Sequence, residues 1–233
     1  MVVSWFSAGV SSAVATKLVI SLIDKIIYTH IDDQHPDTMR FVRDCEKWFE
    51  KPIEILQSPY KSVNNALRTS VYVNGVHGAP CTRLLKRRVR QEWEDGKGHL
   101  TYVWGMDITE KDRCNRLNQI MPHQVHIFPL VDRGIAKFMA HQMLAASGIR
   151  RPAMYDLGYH NNNCIGCVKG GMGYWNKIRS DFPEVFKERA EVERLIKGTC
   201  IKGVYLDELD PEKGRHERPI VEDCGLFCEE MKI

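Results

Sequence analysis

The turn between Ser7 and Ser12 has the composition of an anion-binding site. It reads Ser-Ala-Gly-Val-Ser-Ser and joins a predicted buried strand over residues 2–6 to a helical pattern over residues 12–22. Small residues let a bound group approach the backbone, and the free N–H groups and dipole of the following helix favour a negative charge. The alternative is an ordinary strand-to-helix loop with a serine as the helix N-cap.

The cysteines are the second set of residues that could do chemistry. Of the eight cysteines, Cys164 and Cys167 have the C-x-x-C spacing, and Cys224 and Cys228 are separated by three residues. The first spacing suits two thiolates on one metal ion or cluster, although buried thiols or a redox pair have the same spacing. In a chain of cytosolic character we expect metal ligands, redox groups or core residues rather than a disulfide framework.

A basic run extends from Arg83 to Arg90. The sequence RLLKRRVR places five basic residues in eight positions. Such a run is either a solvated helix face or a phosphate-binding surface.

Two further positions could bind a ligand. Asp33 lies just beyond a predicted strand, where it could contact ribose or a metal ion, or cap the helix that begins near Pro36. Lys169 precedes Gly170, Gly171 and Gly173, which predicts either a second anion-binding loop or a flexible turn under a tryptophan.

The elements that must position these residues alternate between strand and helix patterns. The predicted strands cover residues 2–6, 25–32, 51–58, 100–107 and 125–132, and the predicted helices cover residues 12–22, 35–50, 82–93, 135–148 and 183–197. This alternation predicts an α/β fold, a doubly wound and mostly parallel sheet with helices on both faces. In such a sheet Ser7, Asp32, Asp33 and Gly105 gather at the carboxyl ends of the strands, where ligands bind.

The pattern changes after Gly148. Residues 159–175 are loop-like, and the tail from Thr199 onward is irregular. We therefore predict an α/β domain over residues 1–148. Residues 149–233 form a helical and irregular, cysteine-bearing subdomain packed on it.

Composition excludes several classes of protein. The chain has 233 residues, of which 43% are hydrophobic and 27% charged, as in a globular protein with an adequate core. No apolar run reaches the length of a transmembrane helix, and the N-terminus has the pattern of a strand rather than a signal peptide. We expect a cytoplasmic protein with no membrane partner. The net charge of +3 is too small to identify a nucleic-acid partner by itself.

The order of these segments resembles that of the PP-loop ATP pyrophosphatases, within the phosphoadenylylsulfate (PAPS) reductase-like branch. The similarity covers most of the chain from Val2 to about Phe186. Its segments are FSAGVSSAV, IDDQHPDT, CTRLLKRR, WGMDITEKDR, FPLVD and CIGC, in that order. The sequence departs from the family at Ala8 and Ser11, which stand where the family has its first glycine and its aspartate, and at Asp107, which replaces an arginine.

The resemblance implies a role for each candidate residue. ATP phosphates would contact the turn, and two cations would lie on the triphosphate, where fixed positive charge stabilises the breaking of an α–β phosphate bond. Because Ser11 replaces the aspartate, a Mg²⁺ ligand would have to come from another acidic residue. The implied phosphate contacts are Ser7, Gly9, Ser11 and Ser12, and the cations are Lys86 and Arg113. The other candidates in the cofactor site are Gly105, Asp33 and Lys169. The acidic residues that could replace the missing aspartate are Asp32, Asp33 and Glu110.

The resemblance also implies a [4Fe–4S] cluster, with zinc as the alternative. Several members of the branch bind such a cluster through a C-x-x-C pair and more distant cysteines. The implied ligands here are Cys81, Cys164, Cys167 and one terminal cysteine, Cys228 or Cys224.

Three functions are compatible with these features. The first is an ATP pyrophosphatase that adenylates an acceptor for sulfur insertion, with nucleic acid as the acceptor, as in DNA phosphorothioation or tRNA thiolation, and a cysteine desulfurase or other sulfur donor as partner. The second is a sulfonucleotide reductase whose nucleophile is a C-terminal cysteine. The third is a binding protein that has kept the fold without the chemistry. The oligomeric state stays open, with a homodimer among the alternatives.

Overall fold

Five short strands form one parallel sheet in the computed structural model, which describes residues 1–75 and 78–216. The strands are β1 (Val2–Trp5), β2 (Lys25–His30), β3 (Ile53–Gln57), β4 (Thr101–Val103) and β5 (Val125–Ile127). Their order is β3-β2-β1-β4-β5, and every neighbouring pair is parallel. Val3, Ile27 and Tyr102 are fully buried, as expected for central strands of a sheet covered on both faces.

Helices cover both faces of the sheet. Their bounds are α1 (Val10–Leu18), α2 (Asp37–Phe49), α3 (Val63–Ser70), α4 (Pro80–Thr82), α5 (Arg88–Glu94), α6 (Lys111–Ile120), α7 (Pro129–Asp132), α8 (Lys137–Ala146), α9 (Ala153–Asp156), α10 (Met172–Asp181) and α11 (Pro183–Ile196). Helices α1, α2 and α8 share a core with one face of the sheet, and α5 and α6 pack on the other. The predicted doubly wound α/β fold is therefore confirmed.

The order in which successive strands are added to the sheet reverses between β1 and β4. From β1 the chain passes to β2 and β3 on one side, and then crosses back to β4 and β5 on the other. Such a switch point opens a crevice at the carboxyl ends of the two central strands. The turn that follows β1 lies at this crevice.

Two element boundaries differ from the sequence prediction. Helix α1 begins at Val10, two residues before the predicted start, with Gly9 as its extended N-cap, so the alternative of a serine N-cap does not apply. Small serine side chains fit inside the first turn, and both Ser11 and Ser12 are buried there. Strand β5 ends at Ile127 and Pro129 begins a short helix, because proline cannot donate to a sheet but suits the first turn of a helix.

Helices α3, α6 and α10 are among those that the sequence prediction missed. Helix α3 buries only Val63, Ala66 and Leu67, and α6 buries only two of its residues. Helix α10 follows a glycine-rich stretch with Gly171 as its N-cap. These patterns are too short or too polar to identify a helix by periodicity.

A third hydrophobic cluster joins the C-terminal part of the chain to the rest. It contains Leu67 and Leu85 from before Gly148, and Trp175 and Val192 from after it. The backbone N–H of Ile165 also donates to the carbonyl of Asp33 at 2.8 Å. The division into residues 1–148 and 149–233 stays a prediction.

Within the described residues, no helix has the length and apolar character needed to cross a membrane.

Candidate functional site

A pocket opens at the carboxyl ends of β1, β2 and β4, at the switch point of the sheet. We call it the strand-end pocket. One part of its wall is apolar and the other carries hydroxyl, amide and charged groups. Its lining residues are Trp5, Phe6, Ser7, Ser12, Ile27, Thr29, Gln34, Lys86, Trp104, Gly105, Met106, Glu110 and Arg113.

The turn after β1 contributes Ser7 and Ser12 to the lining of this pocket. The Ser7 hydroxyl donates to the Ser12 hydroxyl at 2.9 Å, and the Ser12 hydroxyl lies 2.9 Å from the carbonyl of Gly9. The first N–H groups of a helix have no partner within the helix. The start of α1 therefore has the features of an anion-binding N-terminus.

Residues far along the chain hold this turn in place. Asn162 is buried and its side-chain amide donates to the carbonyl of Ala8 at 2.9 Å, while its other contact is Thr38 on α2. The hydroxyl of Tyr155 accepts from the N–H of Val10 at 3.3 Å. Ala8 itself has φ of 58°, the left-handed conformation that glycine adopts at low cost. The alanine thus keeps the backbone shape that the family's first glycine would favour.

Gly105 contributes a close backbone approach. A Cβ atom at this position would lie 2.4 Å from the Cα atom of Ser12, well inside van der Waals contact. Only glycine lets the end of β4 pack directly against the first turn of α1. Gly105 lines the strand-end pocket and sets the position of the turn.

Lys86 joins the strand-end pocket to a smaller linking cavity. That cavity is lined by Ser7, Gly9, Gln34, Lys86, Asn162, Asn163 and Cys164. Lys86 belongs to a π-helical segment, Arg83–Arg87, inside a helix that otherwise follows the prediction. Such segments occur often at functional sites. Burial raises the pKa of the nearby Tyr28, with smaller opposing electrostatic effects from Cys164 and Lys86.

Glu110 and Arg113 lie in the strand-end pocket as a pair. One carboxylate oxygen of Glu110 accepts from the Arg113 guanidinium. The other accepts from the backbone N–H of Asp107 at 3.2 Å. In return, the Asp107 side chain accepts from backbone N–H groups at the start of the helix that contains Glu110, and together these bonds form a capping box. Asp107, which replaces an arginine of the family, thus caps the 3₁₀ helix Ile108–Glu110. Glu110 is thus engaged by two donors, and its predicted role as a metal ligand stays a prediction.

Two residues that line the pocket each carry a buried polar atom with no partner within the described part of the chain. The atoms are the indole Nε1 of Trp5 and the hydroxyl of Thr29. A buried polar group without a partner costs free energy, so such groups often mark a ligand site. Sequence reasoning did not identify these two residues. Their only signal is that Trp5 ends β1 and Thr29 lies near the end of β2.

Three predicted cofactor residues are not among those that line either cavity. Ser11 is buried inside α1. The Asp33 carboxylate accepts from the N–H of Val63 at 2.7 Å and lies 3.5 Å from the guanidinium of Arg189. Burial raises the pKa of Asp33, partly offset by these contacts. Lys169 is half-buried and lies beyond Cys167 in the C-terminal part.

Asp32, another candidate metal ligand, is half-exposed and accepts from the Gln57 amide at 2.7 Å.

The cysteines do not form a metal centre within residues 1–75 and 78–216. Cys164 and Cys167 are buried and Cys81 is half-buried. Among these described residues, no three His, Cys, Asp or Glu side chains are placed to hold a metal ion together. Cys224 and Cys228 lie outside the described residues. The predicted cluster therefore stays a prediction, because its fourth ligand lies outside the described residues.

The basic side chains of residues 83–90 lie in three different environments. Arg90 is buried and makes a two-oxygen ion pair with Glu94 at 2.9 and 2.7 Å. Lys86 faces the two cavities described above. Arg83, Arg87 and Arg88 line a separate open groove beside Tyr60. The run is thus neither one solvated face nor one phosphate surface.

Comparison with protein families gives one match. The model of the phosphoadenosine phosphosulfate reductase domain matches residues 1–170. The matched region contains all five strands, the turn after β1, Lys86 and the C-x-x-C pair. No individually curated protein matches the chain.

Proposed function

Because the chain belongs to the phosphoadenosine phosphosulfate reductase domain family, within the PP-loop superfamily, we propose that it binds ATP in the strand-end pocket and adenylates an acceptor. Family members are enzymes that act on nucleotides. The specific reaction proposed here is attack on the α-phosphate with release of pyrophosphate. The AMP-activated acceptor would then be ready for sulfur insertion by a separate donor.

The observation that carries this proposal is the convergence of three kinds of group at one switch point. The pocket combines an apolar wall with Trp5, Phe6 and Met106, the N-terminus of α1, and the cation of Lys86. A purine base needs an apolar slot with a few polar contacts, and phosphates need N–H groups and fixed cations. The Trp5 indole N–H and the Thr29 hydroxyl, which have no partner among the described residues, are our candidates for such polar contacts.

In the proposed step an acceptor oxygen attacks the α-phosphorus of ATP. A bond forms between that oxygen and phosphorus while the bond to the bridging oxygen of pyrophosphate breaks. Negative charge develops on the leaving pyrophosphate, and a fixed cation close to it lowers the barrier. We assign this role to Lys86, which borders both the strand-end pocket and the linking cavity. The Arg113 charge is partly compensated by Glu110.

Mg²⁺, when bound to the phosphates of ATP, supplies further charge neutralisation. It needs few protein ligands when the substrate provides oxygens. Asp32 is the half-exposed candidate for such a contact.

A nucleic acid is the acceptor that we propose. The support is the groove that contains Arg83, Arg87 and Arg88, with Tyr60 in its wall. The Arg88 guanidinium also lies 5.9 Å from the centre of the Tyr60 ring. Arginine and aromatic side chains together suit the phosphates and bases of a single strand.

Product analysis tests the proposed reaction. Purified protein is incubated with α-labelled ATP, Mg²⁺ and a mixture of single-stranded oligonucleotides, and the nucleotides are separated. We expect labelled AMP, free or attached to the acceptor, with one pyrophosphate released for each ATP consumed. A parallel reaction with a sulfonucleotide and a thiol measures sulfite.

The two assays separate the alternative functions. ADP and phosphate as products would contradict attack at the α-phosphorus. Sulfite release without ATP turnover would identify a sulfonucleotide reductase. A separate ATP titration addresses the third function, since a protein that has kept only the fold need not bind nucleotide.

A further inference from the structure

Gln34 lies in the turn that follows β2 and lines both cavities of the candidate site. Among the described residues, the strand-end pocket and the linking cavity share Ser7, Gln34 and Lys86. A group at this junction lies between the apolar wall that would hold the base and the turn that would hold the phosphates. Gln34 is therefore placed beside the phosphate that is joined directly to the nucleoside.

The orientation of the Gln34 amide follows from its hydrogen bonds. Its oxygen Oε1 accepts from the backbone N–H of Ile31 at 3.1 Å and from the Tyr28 hydroxyl. A backbone N–H is always a donor, so the amide atom that faces Ile31 has to be the oxygen and not the NH2 group. Burial raises the pKa of Tyr28, so its hydroxyl keeps the proton that it donates.

The NH2 group of the same amide is available to a ligand. It makes no hydrogen bond to the residues that the structure describes. Tyr28 and Ile31, which hold the oxygen, are not among the described residues that line either cavity. The oxygen thus faces the wall, and the nitrogen is the polar atom of Gln34 on the cavity side.

The turn that carries Gln34 is fixed by further hydrogen bonds. The backbone N–H of Gln34 donates to the carbonyl of Ile31 at 3.0 Å, so Gln34 binds both backbone groups of that residue. The carbonyl of Asp33 accepts from the N–H of Ile165 at 2.8 Å, which ties the turn to the C-terminal part of the chain. A donor that is fixed before the substrate binds needs no reorganisation when charge develops.

We infer that the Gln34 amide donates a hydrogen bond to a non-bridging oxygen of the α-phosphate of ATP. Gln34 is thus a further catalytic residue beside Lys86. The lysine stabilises the charge on the leaving pyrophosphate, and the amide stabilises the charge on the α-phosphate oxygens as the acceptor attacks. This inference rests on the proposed function, since it assigns a contact to the same reacting phosphate.

Two substitutions separate the amide N–H groups from the oxygen that closes the turn. Gln34→Glu keeps an oxygen toward Ile31 and Tyr28 but replaces the NH2 group with a second carboxylate oxygen. Gln34→Met removes both the donor and the acceptor without adding charge. The matched control is Gln119→Glu, because Gln119 is exposed on α6 and is not among the residues that line either cavity. Melting temperature, ATP affinity and the rate of pyrophosphate release are measured on each full-length protein.

We expect Gln34→Glu to keep the wild-type melting temperature while pyrophosphate release falls by about 100-fold, the usual effect of removing one donor to developing charge. Gln34→Met should lose both melting temperature and rate, and the control should match the wild type. A Gln34→Glu variant with the wild-type rate would show that Gln34 only closes the turn. A Gln34→Met variant with the wild-type rate would show that Gln34→Glu acts by charge repulsion alone. Either result would overturn the inference.

A stereochemical test locates the contact. The two diastereomers of ATPαS each replace one non-bridging α-oxygen with sulfur, which is a weaker hydrogen-bond acceptor. The ratio of their two rates should change by about tenfold between the wild type and Gln34→Met, as expected for one hydrogen bond to a charged group. Any preference that Mg²⁺ imposes is present in both proteins. An unchanged ratio would contradict the contact, whereas a wild type that neither binds nor cleaves ATP would instead overturn the proposed function.

Discussion

Lys86→Ala should lower the rate of pyrophosphate release by about 100- to 1,000-fold, the usual effect of removing one fixed group that stabilises transition-state charge. Lys86 borders both the strand-end pocket and the linking cavity. Its charge is therefore close to where the α–β bond of ATP would break. We expect ATP affinity to fall by a smaller factor than the rate, because the serines and the helix N-terminus still bind phosphate.

Lys47→Ala is the matched control for this prediction. Lys47 is an exposed lysine on α2, and it is not among the residues that line the strand-end pocket, the linking cavity or the groove beside Tyr60. Its substitution removes the same charge away from the proposed site. Turnover of Lys86→Ala within twofold of the wild type, with an unchanged melting temperature, would contradict the role of Lys86.

Arg189→Ala should lower the free energy of unfolding by about 3–5 kcal/mol, as expected when one partner of a buried ion pair is removed. Arg189 is fully buried, donates to the Asn64 side chain at 2.8 Å and lies 3.5 Å from the Asp33 carboxylate. Its guanidinium also lies 6.0 Å from the centre of the Trp175 ring. The alanine variant leaves the Asp33 carboxylate without its cation and opens a cavity.

Arg194→Ala and a double-mutant cycle provide the controls. Arg194 is on the same helix but pairs with Asp207 and Glu208 at the surface, so its loss should cost less than about 1 kcal/mol. If Arg189→Ala does not fold, Arg189→Lys keeps the charge and permits the measurement. In the cycle, Asp33→Asn should reduce the cost of losing Arg189.

The same cycle tests the role of Asp33. If Asp33 serves only to pair with Arg189, the folded Asp33→Asn variant should retain its ATP affinity and lose only stability. A large loss of ATP affinity at unchanged stability would support the ribose or metal contact that the sequence suggested.

The parallel sheet was predictable because its strands carry local apolar patterns. Helices α3, α6 and α10, which were not predicted, have weak patterns. Helix α10 acquires its buried face only by packing Trp175 and Ile178 against distant residues. The basic run illustrates the same limit. Its composition could not reveal that Arg90 turns inward to Glu94, since a buried ion pair depends on which face of the helix meets the sheet.

The candidate site was predictable only in part. Ser7, Ser12, Lys86, Gly105, Glu110 and Arg113 follow from segment order and do line one pocket. Asn162 and Tyr155, which hold the turn, lie 154 and 145 residues from their partners in the sequence. Trp5 and Thr29 are also invisible to local reasoning, because an unpartnered polar atom is a property of the whole environment.

A crystal structure with α,β-methylene-ATP tests the central claim most directly, since this analogue cannot be cleaved at the α–β position. We expect the base against Trp5, Phe6 and Met106, the phosphates at the turn between Ser7 and Ser12, and the α–β linkage beside Lys86. A nucleotide bound outside the strand-end pocket, or no bound nucleotide when the crystals contain a saturating concentration, would contradict it.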